Sequence, residues 1–153
     1  MKRKLSWLVF WALVAIFVVI VSVFVVAQLV PAFRGQLFLW FLIISGAAFV
    51  SLGVALIVLT VKEKVPGVLK KFLILTGASA AGFFISFLLH NFIYGVCIHF
   101  FGADFWDRIG LGDEPFFFFM AIFVCPIGFL VGVVGSIVLA IKSKRVKYPS
   151  QSI

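Results

Sequence analysis

The sequence predicts an all-α integral membrane protein: four transmembrane helices in an antiparallel up-down bundle, with a short interfacial helix in the third connection. Three observations predict it. Hydrophobic residues make up 65% of the 153 and charged residues 12%, against about one half and one quarter in soluble domains. Four apolar runs are long enough to cross a hydrocarbon core, which takes about 20 helical residues. None of the four contains Asp, Glu, Lys or Arg. Backbone groups in lipid must be paired within the segment, so continuous apolar runs are helices. A β-barrel would need alternating strands of about ten residues, and no such alternation is present.

The spans fall at residues 5-30, 37-61, 72-101 and 115-141, and 1-153 forms a single domain. The first run follows MKRK and could be read as a signal peptide. Its length exceeds the usual apolar core of such a peptide, about 7–15 residues, and favours a retained anchor. The second, third and fourth runs carry small residues that let helix backbones approach in lipid. These are Ala47, Ser51 and Ala55 in the second, Gly77, Ala78, Ala81 and Gly82 in the third, and Gly128, Gly132 and Ser136 in the fourth. The first run has few, and is expected at the periphery. Pro126 lies inside the fourth run and predicts a kink near Cys125.

Direction follows from Lys and Arg in the short connections. Eleven of the 13 basic residues lie at the N-terminus, in the second connection or in the C-terminal tail. The first and third connections hold only Arg34 and Arg108, and the third adds Asp104, Asp107, Asp113 and Glu114. Both termini are therefore expected in the cytoplasm, in a plasma membrane of prokaryotic type, facing an anionic inner leaflet. The net charge of +8 belongs to these flanks and does not point to nucleic acid. Residues 56–64, LIVLTVKEK, resemble 136–144, SIVLAIKSK. A parallel repeat of two hairpins would explain that, as would the common ending of any inward-running helix.

The third connection reads as an interfacial element. Phe105, Trp106 and Ile109 share a helical face, and aromatic residues favour the headgroup layer. Asp104 and Arg108 are spaced as an i,i+4 pair. Gly110 and Gly112 end the turn, and Asp113 or Glu114 caps the fourth helix ahead of Pro115.

Polar groups inside the spans are few, so each is a candidate. His90, Tyr94 and Cys97 fall on one face of the third helix, continued by Ser86 and Ser79. Counted from the inner end of each run, His90, Cys125 and Ser45 reach similar heights of about 24–27 Å. A polar level around His90, Tyr94, Cys125 and Ser45 is therefore the candidate site. Cys97, His99, Asp104 and Asp107 are candidates at the outer face. Imidazole, thiolate and carboxylate are metal-ligand types, but no CxxC or HExxH spacing is present, so the metal question stays open and no cofactor is expected. The Cys-Pro step at 125–126 resembles that of metal-pumping ATPase helices, without any other ATPase motif. His90 with Cys125 is the one conceivable base and nucleophile pair, and it lacks an orienting acid, so the reading leans away from an enzyme. The chain also lacks the cysteine-rich outer loop of tetraspanins, the paired-cysteine loop of claudins and the first-helix glutamate of small multidrug exporters. What remains is a non-catalytic structural, anchoring or accessory subunit that packs with other membrane proteins or with itself. The alternative is a small transporter or an ion- or metal-binding protein.

Overall fold

The computed structural model describes residues 3–30, 35–65 and 67–147. Helix α1 spans Arg3–Leu29, α2 Gln36–Lys62 and α3 Gly67–Phe101. A short α4, Phe105–Arg108, follows. The fourth span comprises α5 (Pro115–Phe119), a π-helical turn (Met120–Val124) and α6 (Cys125–Lys147). Four helices are long and apolar enough to cross a bilayer. The chain is an integral, multi-pass membrane protein built as an all-α four-helix bundle.

Two helices run past their apolar limits. α3 begins at Gly67 rather than at 72, and α6 continues to Lys147. A helix ladder does not stop where hydropathy does, because Lys side chains are good helix formers. The kink expected at Pro126 takes the form of the π turn just before it. Pro126 has no N–H to give the preceding turn, and its ring would crowd the carbonyl four residues back. The wide turn absorbs that conflict, with the Cys125 amide donating to the Met120 carbonyl, a five-residue step.

α3 is the central helix, packed between α2 and the fourth span. At the α2–α3 crossing the backbones touch. A Cβ on Gly53 would lie 2.7 Å from the Gly77 carbonyl oxygen, and one on Gly77 would lie 2.6 Å from that of Gly53. The residues that α2 buries are Gly46, Phe49, Gly53, Leu56 and Thr60. Ala47 and Ser51 point outward and Ala55 is only half-buried, so the expected α2 face is turned by about one position. On α3, Gly77 and Ala81 are buried while Ala78 is exposed. On the other side of α3, Gly128 and Gly132 fit against Ser79 and Thr76. A Cβ on Gly132 would stand 2.8 Å from the Thr76 amide nitrogen. Ser136 is fully buried on the same helix, its hydroxyl unpaired.

α1 packs chiefly along α2, yet it is more than a peripheral strut. Phe10 and Leu13 are fully buried, and Phe17 reaches across to Phe129, ring centroids 4.7 Å apart. Phe49 of α2 completes that aromatic group, 5.4 Å from Phe129. Where the seams on α3 close with small residues, this side closes with phenylalanine. At the end of the bundle that carries Lys62, Lys64, Lys70 and Lys71, the Ser6 hydroxyl donates to Glu63 at 2.7 Å. The start of α1 and the α2–α3 turn therefore share this lysine end. Arg34 and Lys2 lie outside the described residues, as do the side chains of Arg3, Lys4, Lys144, Arg145 and Lys147.

Candidate functional site

The end opposite the lysines is built by α3 overshooting. Lys71 and His90 are separated by about 28 Å along α3 at about 1.5 Å per residue, close to the thickness of a hydrocarbon core of about 30 Å. The helix continues beyond His90 for another three turns to Phe101. Gly102 then reverses the chain at φ 97°, and α4 folds back along α3. Gly110 and Gly112, at φ 74° and 68°, turn the chain again. It descends until Asp113 and Glu114 stand beside His90, and the fourth span starts from there.

Glu114 is the pivot. It is 5% exposed, and its carboxylate caps α5. Oε1 accepts from the Phe116 amide at 2.9 Å, and Oε2 from the Phe117 amide at 2.9 Å. A charged cap on free helix amides, favoured also by the helix dipole, makes burial of this carboxylate tolerable. Asp113 Oδ1 accepts from the Glu114 amide at 2.6 Å, which holds the second carboxylate in place. His90 Nδ1 lies 3.0 Å from the Glu114 carbonyl oxygen and 3.4 Å from Glu114 Oε2. Its Nε2 faces Asp113 Oδ2 at 3.7 Å. The imidazole is 13% exposed and Asp113 52%, so the cluster is closed on the helix side and open above.

Above it stands an aromatic stack. Tyr94 lies between the His90 ring, 6.5 Å away, and Trp106, 6.0 Å away and nearly parallel at 9°. Trp106 is buried. The expected headgroup-facing Trp is therefore turned inward onto Tyr94, its indole N–H unpaired, while Ile109 stays outward. Arg108 holds the outer turn through Asp104, Nε to Oδ2 3.4 Å, and through the Phe101 carbonyl.

The remaining candidates scatter. Cys125 does not meet His90. It hydrogen-bonds Ser86, one turn below, and its sulfur lies against Gly82. Cys125 lies about one turn of α3 below His90, and the start of the fourth span at Glu114 takes the place beside the imidazole. Ser45 donates to the Phe41 carbonyl of its own helix at 2.6 Å, as Asn91 does to Phe87 at 2.8 Å. Cys97 is half-buried and, like Cys125, a free thiol. His99 is exposed, its ring against the edge of Phe100, and Asp107 is exposed. Among the described residues, no three His, Cys, Asp or Glu side chains form a metal-ligating group. The polar edge of α3 does face a neighbour: Ser79 meets Gly128, Ser86 meets Cys125, and His90 meets Glu114. A small cavity of about 100 Å³ opens beside His90, walled by Phe87, Asn91, Phe118, Ala121 and Ile122.

Sequence reasoning saw Asp113 and Glu114 only as caps. The signal that could have joined them to His90 was helix length: a third helix longer than the bilayer forces the chain to come back down before it can enter again. Comparison with protein families, curated proteins and solved structures finds no match to this chain.

Proposed function

We propose that the protein is a non-catalytic structural, anchoring or accessory component of a cell membrane that packs with other membrane helices or with copies of itself. One observation carries this reading. The acid–base and thiol groups nearest the bundle are engaged in holding its own helices together: Glu114 caps α5, His90 grips Glu114, and Cys125 bonds Ser86. Loops are short, and large apolar side chains cover the outside of every span, so contact within the membrane is the main business such a surface can have. Both termini face the cytoplasm in this reading, with the lysine end on the anionic inner leaflet of a prokaryotic plasma membrane and no nucleic acid involved. The second reading, a small transporter or ion-binding protein, is favoured by one observation: His90 Nε2 faces a carboxylate rather than a donor.

Site-specific photo-crosslinkers at Val18, Ile44 and Phe92, exposed positions on three helices, test the first reading in native membranes. A discrete adduct of one mass, formed at one face and not the others, is the expected result. Adducts to lipid alone at all three faces would count against it. Orientation is tested by single cysteines in a Cys97→Ala, Cys125→Ala background. A membrane-impermeant reagent added outside should modify Gly112→Cys and spare Ser143→Cys, and the reverse pattern would overturn the assignment.

A further inference from the structure

The surroundings of the His90 ring carry the inference. A neutral imidazole has one N–H and one lone pair, whereas an imidazolium has two N–H donors and no acceptor. The polar groups placed against this ring are all acceptors. Nδ1 lies 3.0 Å from the Glu114 carbonyl oxygen and 3.4 Å from Glu114 Oε2. Nε2 lies 3.7 Å from Asp113 Oδ2, an ion-pair distance. A neutral ring would leave one nitrogen without a hydrogen, beside one carboxylate or the other. The imidazolium suits both sides at once. The titratable groups that face it are Asp113 and Glu114 on the chain entering the fourth span and Tyr94 on α3. Phe118 of α5 adds only an aromatic contact, and Arg108 is engaged with Asp104 and the Phe101 carbonyl.

We propose that the junction between α3 and the fourth span is a pH-sensitive clasp, closed while His90 carries its proton and loosened when the proton leaves. Histidine is the side chain whose charge changes between about pH 5 and 8, whereas carboxylates ordinarily titrate lower. The closed junction holds a proton that the open one does not need, so raising the pH weakens it. The ring and Glu114 are both largely buried, so water screens their charges poorly. The clasp also closes the outer excursion of residues 91–113, because it ties α3 to the point where the chain enters the bundle again. The glycine seams lie on the other half of α3 and hold without it. Three amides report its state. Asp113 holds the amide of Glu114, and Glu114 holds those of Phe116 and Phe117. The clasp serves equally a structural protein and an ion-handling one, so the proposal stands apart from the choice between those roles.

The test is site-resolved hydrogen exchange of the purified full chain in detergent micelles at about pH 5.5 and about pH 8, each rate divided by that of an unstructured peptide at the same pH. Protection of the Glu114, Phe116 and Phe117 amides should fall by about fivefold at the higher pH, the difference between a charge-assisted bond and a neutral one. Protection across 76–81, in the seam, should not change. His90→Gln should abolish the pH response. Asp113→Asn should shrink it, and because Asp113 is half exposed, that variant keeps the fold if His90→Gln does not. His99→Gln, at an exposed ring remote from the carboxylates, should respond as the parent chain does. A flat response in the parent chain, an equal fall across 76–81, a full response in His90→Gln or Asp113→Asn, or a lost response in His99→Gln would each overturn the proposal.

Discussion

The two halves of α3 are held by different physics. From Gly67 to Ser86 the helix is wedged between α2 and the fourth span, and its buried residues are Leu73, Thr76, Gly77, Ser79, Ala80, Ala81 and Ser86. Mostly small side chains let backbones meet, and close packing supplies the attraction where lipid offers no hydrophobic drive. From Phe87 to Phe101 the large side chains face outward, with Phe92 and Phe100 among the most exposed. What holds this half is a few directional contacts: His90 to Glu114, Tyr94 to Trp106, Arg108 to the Phe101 carbonyl. The first half tolerates little change of volume. The second half tolerates change except at the groups that make those contacts.

The contrast breaks most readily at the glycine seams. Gly53→Leu and Gly132→Leu each drive a side chain into backbone atoms within about 3 Å, and a cost of about 3 kcal/mol is expected in reversible unfolding in mixed micelles. Gly95→Leu, in the outer half with no heavy atom near its missing Cβ, should change stability by less than about 0.5 kcal/mol. Equal losses at Gly95 and Gly53 would erase the distinction between the halves. Glu114→Ala should come next. It removes the cap from α5, worth about 0.5–2 kcal/mol, and a partner from His90. Hydrogen exchange should quicken at the amides of 116–120 and stay slow at 76–81; quickening at both would mean the clasp and the seam are one cooperative unit. Smallest is Arg108→Gln. Its ion pair with Asp104 is more than half exposed on both sides, so a change of at most about 0.5 kcal/mol is expected, confined to exchange in 101–109.

Particular residues show how far the sequence could be read. The i,i+4 pair of Asp104 and Arg108 and the Pro at the first position of α5 follow from local spacing, and the structure has both. The faces of α2 and α6 were legible as small-residue stripes, but α2 buries Gly46 and Gly53 instead of Ala47 and Ser51. A rotation of one position about a helix axis leaves composition untouched and changes every contact. Similar height along two helices does not bring His90 and Cys125 together: Cys125 meets Ser86 one turn lower, and Glu114 fills the place beside His90. Trp106 carries an interfacial signal, and the structure adds what spacing does not give: α4 lies against α3, so the indole stacks on Tyr94.

The sequence by itself determined that this chain lives in lipid, that it crosses four times as helices, and which connections carry the lysines. Those follow from solvent: sustained apolar length admits no other folded state in a bilayer, and charge avoids its core. Only the tertiary structure decided who meets whom. The Gly53–Gly77 contact depends on helix rotation, the π turn before Pro126 on how the ladder yields, and the meeting of His90 with Asp113 and Glu114 on how far α3 overshoots. Each is set by the mutual fit of several helices, a quantity that no single stretch of residues contains.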